Sequence, residues 1–222
     1  MKRSFVAASA LLLCLLVAAP QVMADTITFT DPSNDAIGVG FESYWAKVTN
    51  PYGSPSALIS FELATDYPMA GITVGGWATR PADLFFYDST GNYAIPLVTH
   101  DGFNAGSWYR VLTYAVSDDF EPAGGGFIYN HNVPVSILTG TYLGYQGGVS
   151  WIDNGLGQSN WLISLPAGNI YEDVPSFSFV WGTATCANDV ISGSYPVPDG
   201  GSMVMLLGMA LMGLAGVRRM MK

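Results

Sequence analysis

Cysteine is nearly missing from this 222-residue sequence, which holds two, Cys14 and Cys186. Cys14 falls in an apolar run near the N-terminus, so the downstream body keeps one thiol and cannot cross-link itself. Packing must then hold the body together. Cys186 reads as a buried small hydrophobe, because no His or Lys stands close in sequence to activate it. Charge is scarce too, at 11% of residues, and one-sided, with 17 acidic against 8 basic side chains. Every acid lies between Asp25 and Gly201, where the basic residues are Lys47, Arg80 and Arg110. Such a body repels nucleic acid and anionic lipid, which excludes a polyanion partner and leaves a solvated acidic surface or cation binding. The two histidines, His100 and His131, belong to no HExxH or GxSxG context and read as loop residues. With no catalytic motif, an enzymatic role is not expected. Paired carboxylates for glycoside hydrolysis are defined by separation in space, which the sequence does not give.

What the sequence does hold begins with an export pattern. Lys2 and Arg3 precede an apolar run from Phe5 to Ala19, then Pro20 and the small-residue site Val22-Met23-Ala24. Residues 1–24 read as a signal peptide, cut by signal peptidase to leave Asp25 first. A second apolar stretch, Ser202 to Val217, is followed by Arg218, Arg219 and Lys222. As a helix it spans roughly 24 Å, just enough for a ~30 Å hydrocarbon core if the arginines snorkel and the bilayer thins. Its basic end stays cytoplasmic by the positive-inside rule, placing the body outside. Before it stands Val197-Pro198-Asp199-Gly200-Gly201, where Pro198 and two glycines resist regular structure and leave an extended handle.

The order of Pro-acid motif, apolar helix and arginine cluster over residues 197–222 resembles the PEP-CTERM class of sorting signals, and VPDGG looks most like its VPDSG-type variant. Asp199 stands where the class usually has Glu, and Gly200 where the variant has Ser. The resemblance implies an exosortase, a membrane-embedded transpeptidase-like cysteine protease, as processing partner. Val197, Pro198, Asp199, Gly200 and Gly201 would be its recognition motif and Arg218-Arg219 the stop. The protein would be held briefly at the cytoplasmic membrane, then released to the envelope or extracellular matrix. The segment Phe179 to Gly193 is also similar to the closing segment of body domains in such proteins.

Residues 25–196 form the body. Lys, Glu and Arg are few, while 26 Gly, 12 Tyr, 11 Phe and 6 Trp suit short strands and tight turns. Period-2 runs such as Ile59-Ser60-Phe61-Glu62-Leu63 and Phe177-Ser178-Phe179-Val180-Trp181 predict strands. Further strands are expected at 26–29, 40–48, 71–77, 84–87, 109–116, 126–129, 133–138, 148–152 and 161–165. Turn signals include Asp88-Ser89-Thr90-Gly91-Asn92 and Glu121-Pro122-Ala123-Gly124. This pattern predicts an all-β fold, a single jelly-roll-like β-sandwich. Two candidate sites arise in it. Asp118, Asp119 and Glu121, like Asp31 and Asp35, place oxygens suited to Ca²⁺, although turn-forming acids explain both without a metal. Trp108-Tyr109 is the aromatic pair chosen as a platform for stacking on sugars, against the competing reading that it is core. The body is therefore a structural, matrix-associated protein or a carbohydrate-binding module for exopolysaccharide, a Ca²⁺-dependent one in its second form.

Overall fold

The computed structural model describes residues 24–32, 36, 40–51, 58–74, 76–120, 130–145, 148–153, 159–166 and 176–196. The export segment before Ala24, Glu121, the expected strand at 126–129 and the tail from Val197 through Arg218 and Arg219 lie outside the described residues. Among the described residues no helix is long and apolar enough to cross a membrane.

Two antiparallel sheets make up the body. The first is built from β1 (Ala24–Thr30), β2 (Ser43–Pro51), β3 (Leu58–Thr65), β10 (Val149–Asp153) and β11 (Ser159–Pro166), in the order β1-β2-β3-β11-β10. The second takes β6 (Leu84–Asp88), β7 (Gly91–Ile95), β8 (Ser107–Val116), β9 (Pro134–Tyr145), β12 (Ser176–Gly182) and β13 (Val190–Pro196), in the order β13-β12-β6-β7-β8-β9. The run expected as one strand over 71–77 is instead a small hairpin of β4 (Thr73–Val74) and β5 (Trp77–Ala78). Gly76, at φ 84°, sits in the turn between them. Gly71, at φ 79°, precedes β4, and a Cβ there would lie 2.1 Å from the Thr79 carbonyl oxygen.

The sandwich is confirmed, but the jelly-roll order is not. A jelly roll sends successive strands to alternate sheets, whereas β1-β2-β3 and β6-β7-β8-β9 are meanders that keep chain neighbours side by side. Tight turns explain the difference. Between β6 and β7 only Ser89 and Thr90 intervene, and Asp88 Oδ1 accepts the Thr90 N–H at 2.6 Å and the Gly91 N–H at 3.0 Å. The chain changes sheet three times, from β3 to β6, from β9 to β10 and from β11 to β12; because β3 pairs antiparallel with β11 and β6 with β12, the first and last of these crossings lie at opposite ends of neighbouring strands.

Alternation fills the space between the sheets. Ile59, Phe61 and Leu63 point inward from β3, while Leu84 and Phe86 from β6 and Phe177, Phe179 and Trp181 from β12 meet them from the other sheet. The Phe61 ring packs against Phe86 (centroids 4.9 Å apart), Phe177 (5.7 Å) and Phe179 (5.7 Å). On one side the sandwich closes where Phe29 of β1 meets Phe179 edge-on at 5.0 Å. Gly193 of β13 makes room for that ring, since a Cβ there would approach Phe29 Cδ1 to 2.4 Å. Cys186 is buried as expected, and burial pushes its thiol pKa up.

Phe61→Ala removes the ring on which these inter-sheet contacts converge. It is expected to cost about 3–5 kcal/mol of stability in chemical denaturation. A loss below about 1 kcal/mol would mean that the sheets are held elsewhere.

Candidate functional site

At one end of the sandwich the six-stranded sheet curls over. Two strands separate β6 from β9 in the sheet, yet Asp83, just before β6, donates its N–H to Val135 O of β9 at 3.0 Å. The Asp83 side chain is 0% exposed, and an isolated carboxylate there would be strongly unfavourable. Its Oδ2 accepts the Ile137 N–H at 2.8 Å, and its Oδ1 lies 2.8 Å from His100 Nε2. Arg80 Nη1 stands 3.6 Å away and supplies the positive charge. The same guanidinium donates from Nη2 to Ser136 Oγ at 2.6 Å and lies 3.1 Å from His100 Nδ1. Facing a carboxylate, Nε2 is assigned the ring proton, which makes Nδ1 the acceptor for Arg80. Because Arg80 stands between Ser136 and His100, the cluster presents no nucleophile to its base. It is a satisfied charge network built from β9, the 80–83 segment and the turn around His100.

A second buried acid anchors the same sandwich through the loop 183–189. Asp189 Oδ2 accepts from Ser43 Oγ at 2.8 Å and from the Ser43 N–H, and its Oδ1 accepts the Val190 N–H at 2.8 Å. Nearby, Asp66 Oδ1 accepts the Glu42 N–H at 2.7 Å. Burial holds the Asp66 carboxyl above its ordinary range, partly offset by backbone hydrogen bonds, and the Asp189 charge pushes the same way.

The outer face of the six-stranded sheet is unusual in carrying apolar residues of its own. Phe85, Ala94, Tyr109, Val111 and Ile137 form a layer there, with Tyr87, Phe103 and Val180 against it. Above the layer stand Tyr114, 39% exposed and edge-on to Phe85, and Tyr142, 55% exposed and 5.6 Å from Tyr109. Burial among these rings pushes the Tyr87 hydroxyl pKa far up. Four register shifts interrupt the β8–β9 pairing, at Leu112 on β8 and at Val135, Leu138 and Leu143 on β9. The three leucines are all exposed. Bulges thus aim them outward, as bulged residues commonly are re-aimed.

The chosen sugar platform is corrected by this geometry. Trp108 is 4% exposed and stacks on Tyr93 within the inter-sheet core, while Tyr109 is 5% exposed under Phe103 and Tyr142. Adjacent strand residues face opposite sides, so the pair cannot form one platform. Among the described residues the exposed tyrosines are Tyr114 and Tyr142, which sequence reasoning missed because nothing in their spacing marks which face stays uncovered. Of the Ca²⁺ set, Glu121 lies outside the described residues, and Asp118 and Asp119 bond to nearby backbone N–H groups and His131. Asp118 Oδ1 accepts the Asn132 N–H at 3.0 Å and contacts His131 Nδ1 at 3.2 Å, while Asp119 Oδ2 accepts the Val116 N–H at 3.0 Å. Those bonds hold the Asp118 carboxyl below its ordinary range. Among the described residues no three His, Cys, Asp or Glu side chains group as metal ligands. Of the two histidines, His131 is a loop residue as expected; His100 is instead the partner of a buried carboxylate. Asp83 and Arg80 went unnoticed because they are charged residues without a motif.

In sequence the β-sandwich body is followed by a Pro-acid handle, an apolar run and arginines. The VPDSG-CTERM motif family matches residues 196–221 and marks the chain as a sorting-signal protein of the exosortase system. Neither curated proteins nor solved structures give a match for the body.

Because ionised Asp66 is disfavoured in the folded state, the stability tied to its protonated form is lost as pH rises through its folded pKa. Asp66→Asn keeps an acceptor for the Glu42 N–H without the charge. It is expected to unfold at a higher temperature than the parent at pH 7, with the advantage vanishing below about pH 3.9, the ordinary Asp value. A variant no more stable at pH 7 would contradict this.

Proposed function

We propose that the chain is an envelope or extracellular-matrix protein whose body is structural, exported by its N-terminal signal and released by an exosortase-type enzyme acting within Val197–Gly201. The VPDSG-CTERM match carries this reading. Several features of the body support it. Removal of residues 1–24 leaves Asp25 to Thr30 in β1, still paired with Asn50 to Trp45 of β2, so export processing leaves the sheet intact. The last strand ends at Pro196, directly before the handle. Five residues separate it from Ser202, a reach of about 17 Å when extended, so the enzyme works close against a compact body. The leucines and tyrosines of β8 and β9 provide a nearly uncharged face on an otherwise acidic surface, suited to contact within a matrix without charge repulsion.

A second reading, a glycan-binding body, draws on Tyr114 and Tyr142, whose exposed rings share one sheet face. Stacking on a neutral polysaccharide would use these two rings. The two readings separate in affinity electrophoresis on neutral exopolysaccharides. Retardation that is lost in Tyr114→Ala and Tyr142→Ala supports glycan binding, and migration unaffected by every polymer removes it.

Mass spectrometry of the protein recovered from its host is expected to give an N-terminus at Asp25 and a C-terminus between Val197 and Gly201. A mature chain still ending at Lys222 would overturn the processing.

A further inference from the structure

His100 Nδ1 has two partners with opposite demands at the same distance. Arg80 Nη2, a donor, lies 3.1 Å away, and Asp101 Oδ2, an acceptor, also lies 3.1 Å away. One nitrogen cannot serve both, because it accepts when bare and donates when protonated. The rest of the ring is fixed. Nε2 is held by the buried Asp83 carboxylate, Phe103 packs at 5.8 Å, and backbone bonds between His100 and Phe103 close the turn in both directions. Asp101 is held at φ 45° and Gly102 at φ 87°, which keeps the Asp101 carboxylate beside the ring although it is largely exposed.

We propose that His100 is a two-position proton switch, in which the neutral ring accepts from Arg80 and the protonated ring donates to Asp101. The charged groups facing the ring are Asp83 and Arg80 from the segment before β6 and Asp101 from its own turn; β9 contributes the uncharged Ser136, and Phe103 the turn's own ring. In the neutral state the Arg80 guanidinium ties the His100 turn to Ser136 of β9. On protonation a cationic ring beside the guanidinium repels it, and the positive charge falls between two carboxylates. Arg80 keeps Ser136 and the Pro81 carbonyl, so the network loses one link and the turn gains one, with no buried group left unpaired. Histidine is the side chain whose charge ordinarily changes nearest neutral pH, which makes the exchange available to an exported body.

The test is a pH titration of the full chain with ¹⁵N-labelled histidine rings, read by two-bond ¹H–¹⁵N correlation. The neutral ring is expected as the Nε2–H tautomer, and acid is expected to protonate Nδ1. Asp101→Asn should lower the titration midpoint and Arg80→Gln should raise it, while Asp153→Asn, the same charge lost in the other sheet, should leave it in place. A neutral Nδ1–H tautomer, or an Asp101→Asn midpoint equal to the parent's, would overturn the switch. Asp101 is exposed, so its variant folds and decides the question even where Arg80→Gln does not fold.

Discussion

Without a cross-link within the body, everything rests on the aromatic contact between the two sheets around Phe61. Its ring touches Phe86, Phe177 and Phe179, residues from two different strands of the opposite sheet. β3 and β12 are separated by more than a hundred residues in sequence, so this contact fixes the long-range order that no disulfide supplies. Another feature follows from the sheet spacing it sets. Phe29 can reach Phe179 only across a glycine, while the Trp181 Nε1–H donates to the Ala82 carbonyl at 3.2 Å and ties β12 to the segment before β6 within one sheet. Apolar packing therefore specifies as well as stabilises.

Apolar packing alone does not choose one arrangement of loops, and the buried acids do. Asp83 binds β9 to the start of β6, and Asp189 binds the loop 183–189 to β2 through Ser43. Each buried carboxylate is unfavourable unless all its partners are in place, so any loop arrangement that leaves one unpaired is disfavoured. The loop 183–189 is buried along its length despite being irregular, and its backbone is satisfied from outside. The Thr185 N–H reaches the Arg80 carbonyl at 3.0 Å, and the Ala187 carbonyl accepts from Asn130 Nδ2 at 3.1 Å.

The sequence was legible where burial is one-sided and period-2 alternation survives. β3 and β12 appear nearly as expected, because one face of each is core and the other solvent. β7 was hidden inside a turn signal, since Gly-Asn-Tyr follows Asp-Ser-Thr and the hairpin reverses after two residues. β13 was hidden by its small residues, Ser-Gly-Ser, of which Gly193 is there because Phe29 needs the space. At β8 and β9 the bulges shift the alternation, and inside cannot be told from outside along such a strand. The Trp108-Tyr109 platform failed for a simpler reason, since the two neighbours face opposite sides of β8 and both are covered. The Asp83–His100 pair was out of reach in a different way: 17 residues separate the partners, and only the curl of the sheet brings β9 to them.

All three basic residues of the body are engaged by it. Lys47 pairs with Glu62 at 2.6 Å, Arg80 with Asp83, and Arg110 donates to the Thr90 carbonyl at 3.0 Å. The surface acids are thus left with little internal compensation, and the body's outward field is acidic. On the proposed reading, a handle of about 17 Å holds that acidic body beside the membrane, where anionic lipid repels it. No cationic patch opposes this, since Lys47, Arg80 and Arg110 are each tied to a partner within the body. The same charge that keeps the body soluble after release works against it while tethered. A barely sufficient span, a short handle and an acidic load are then consistent parts of a tether built to be cut.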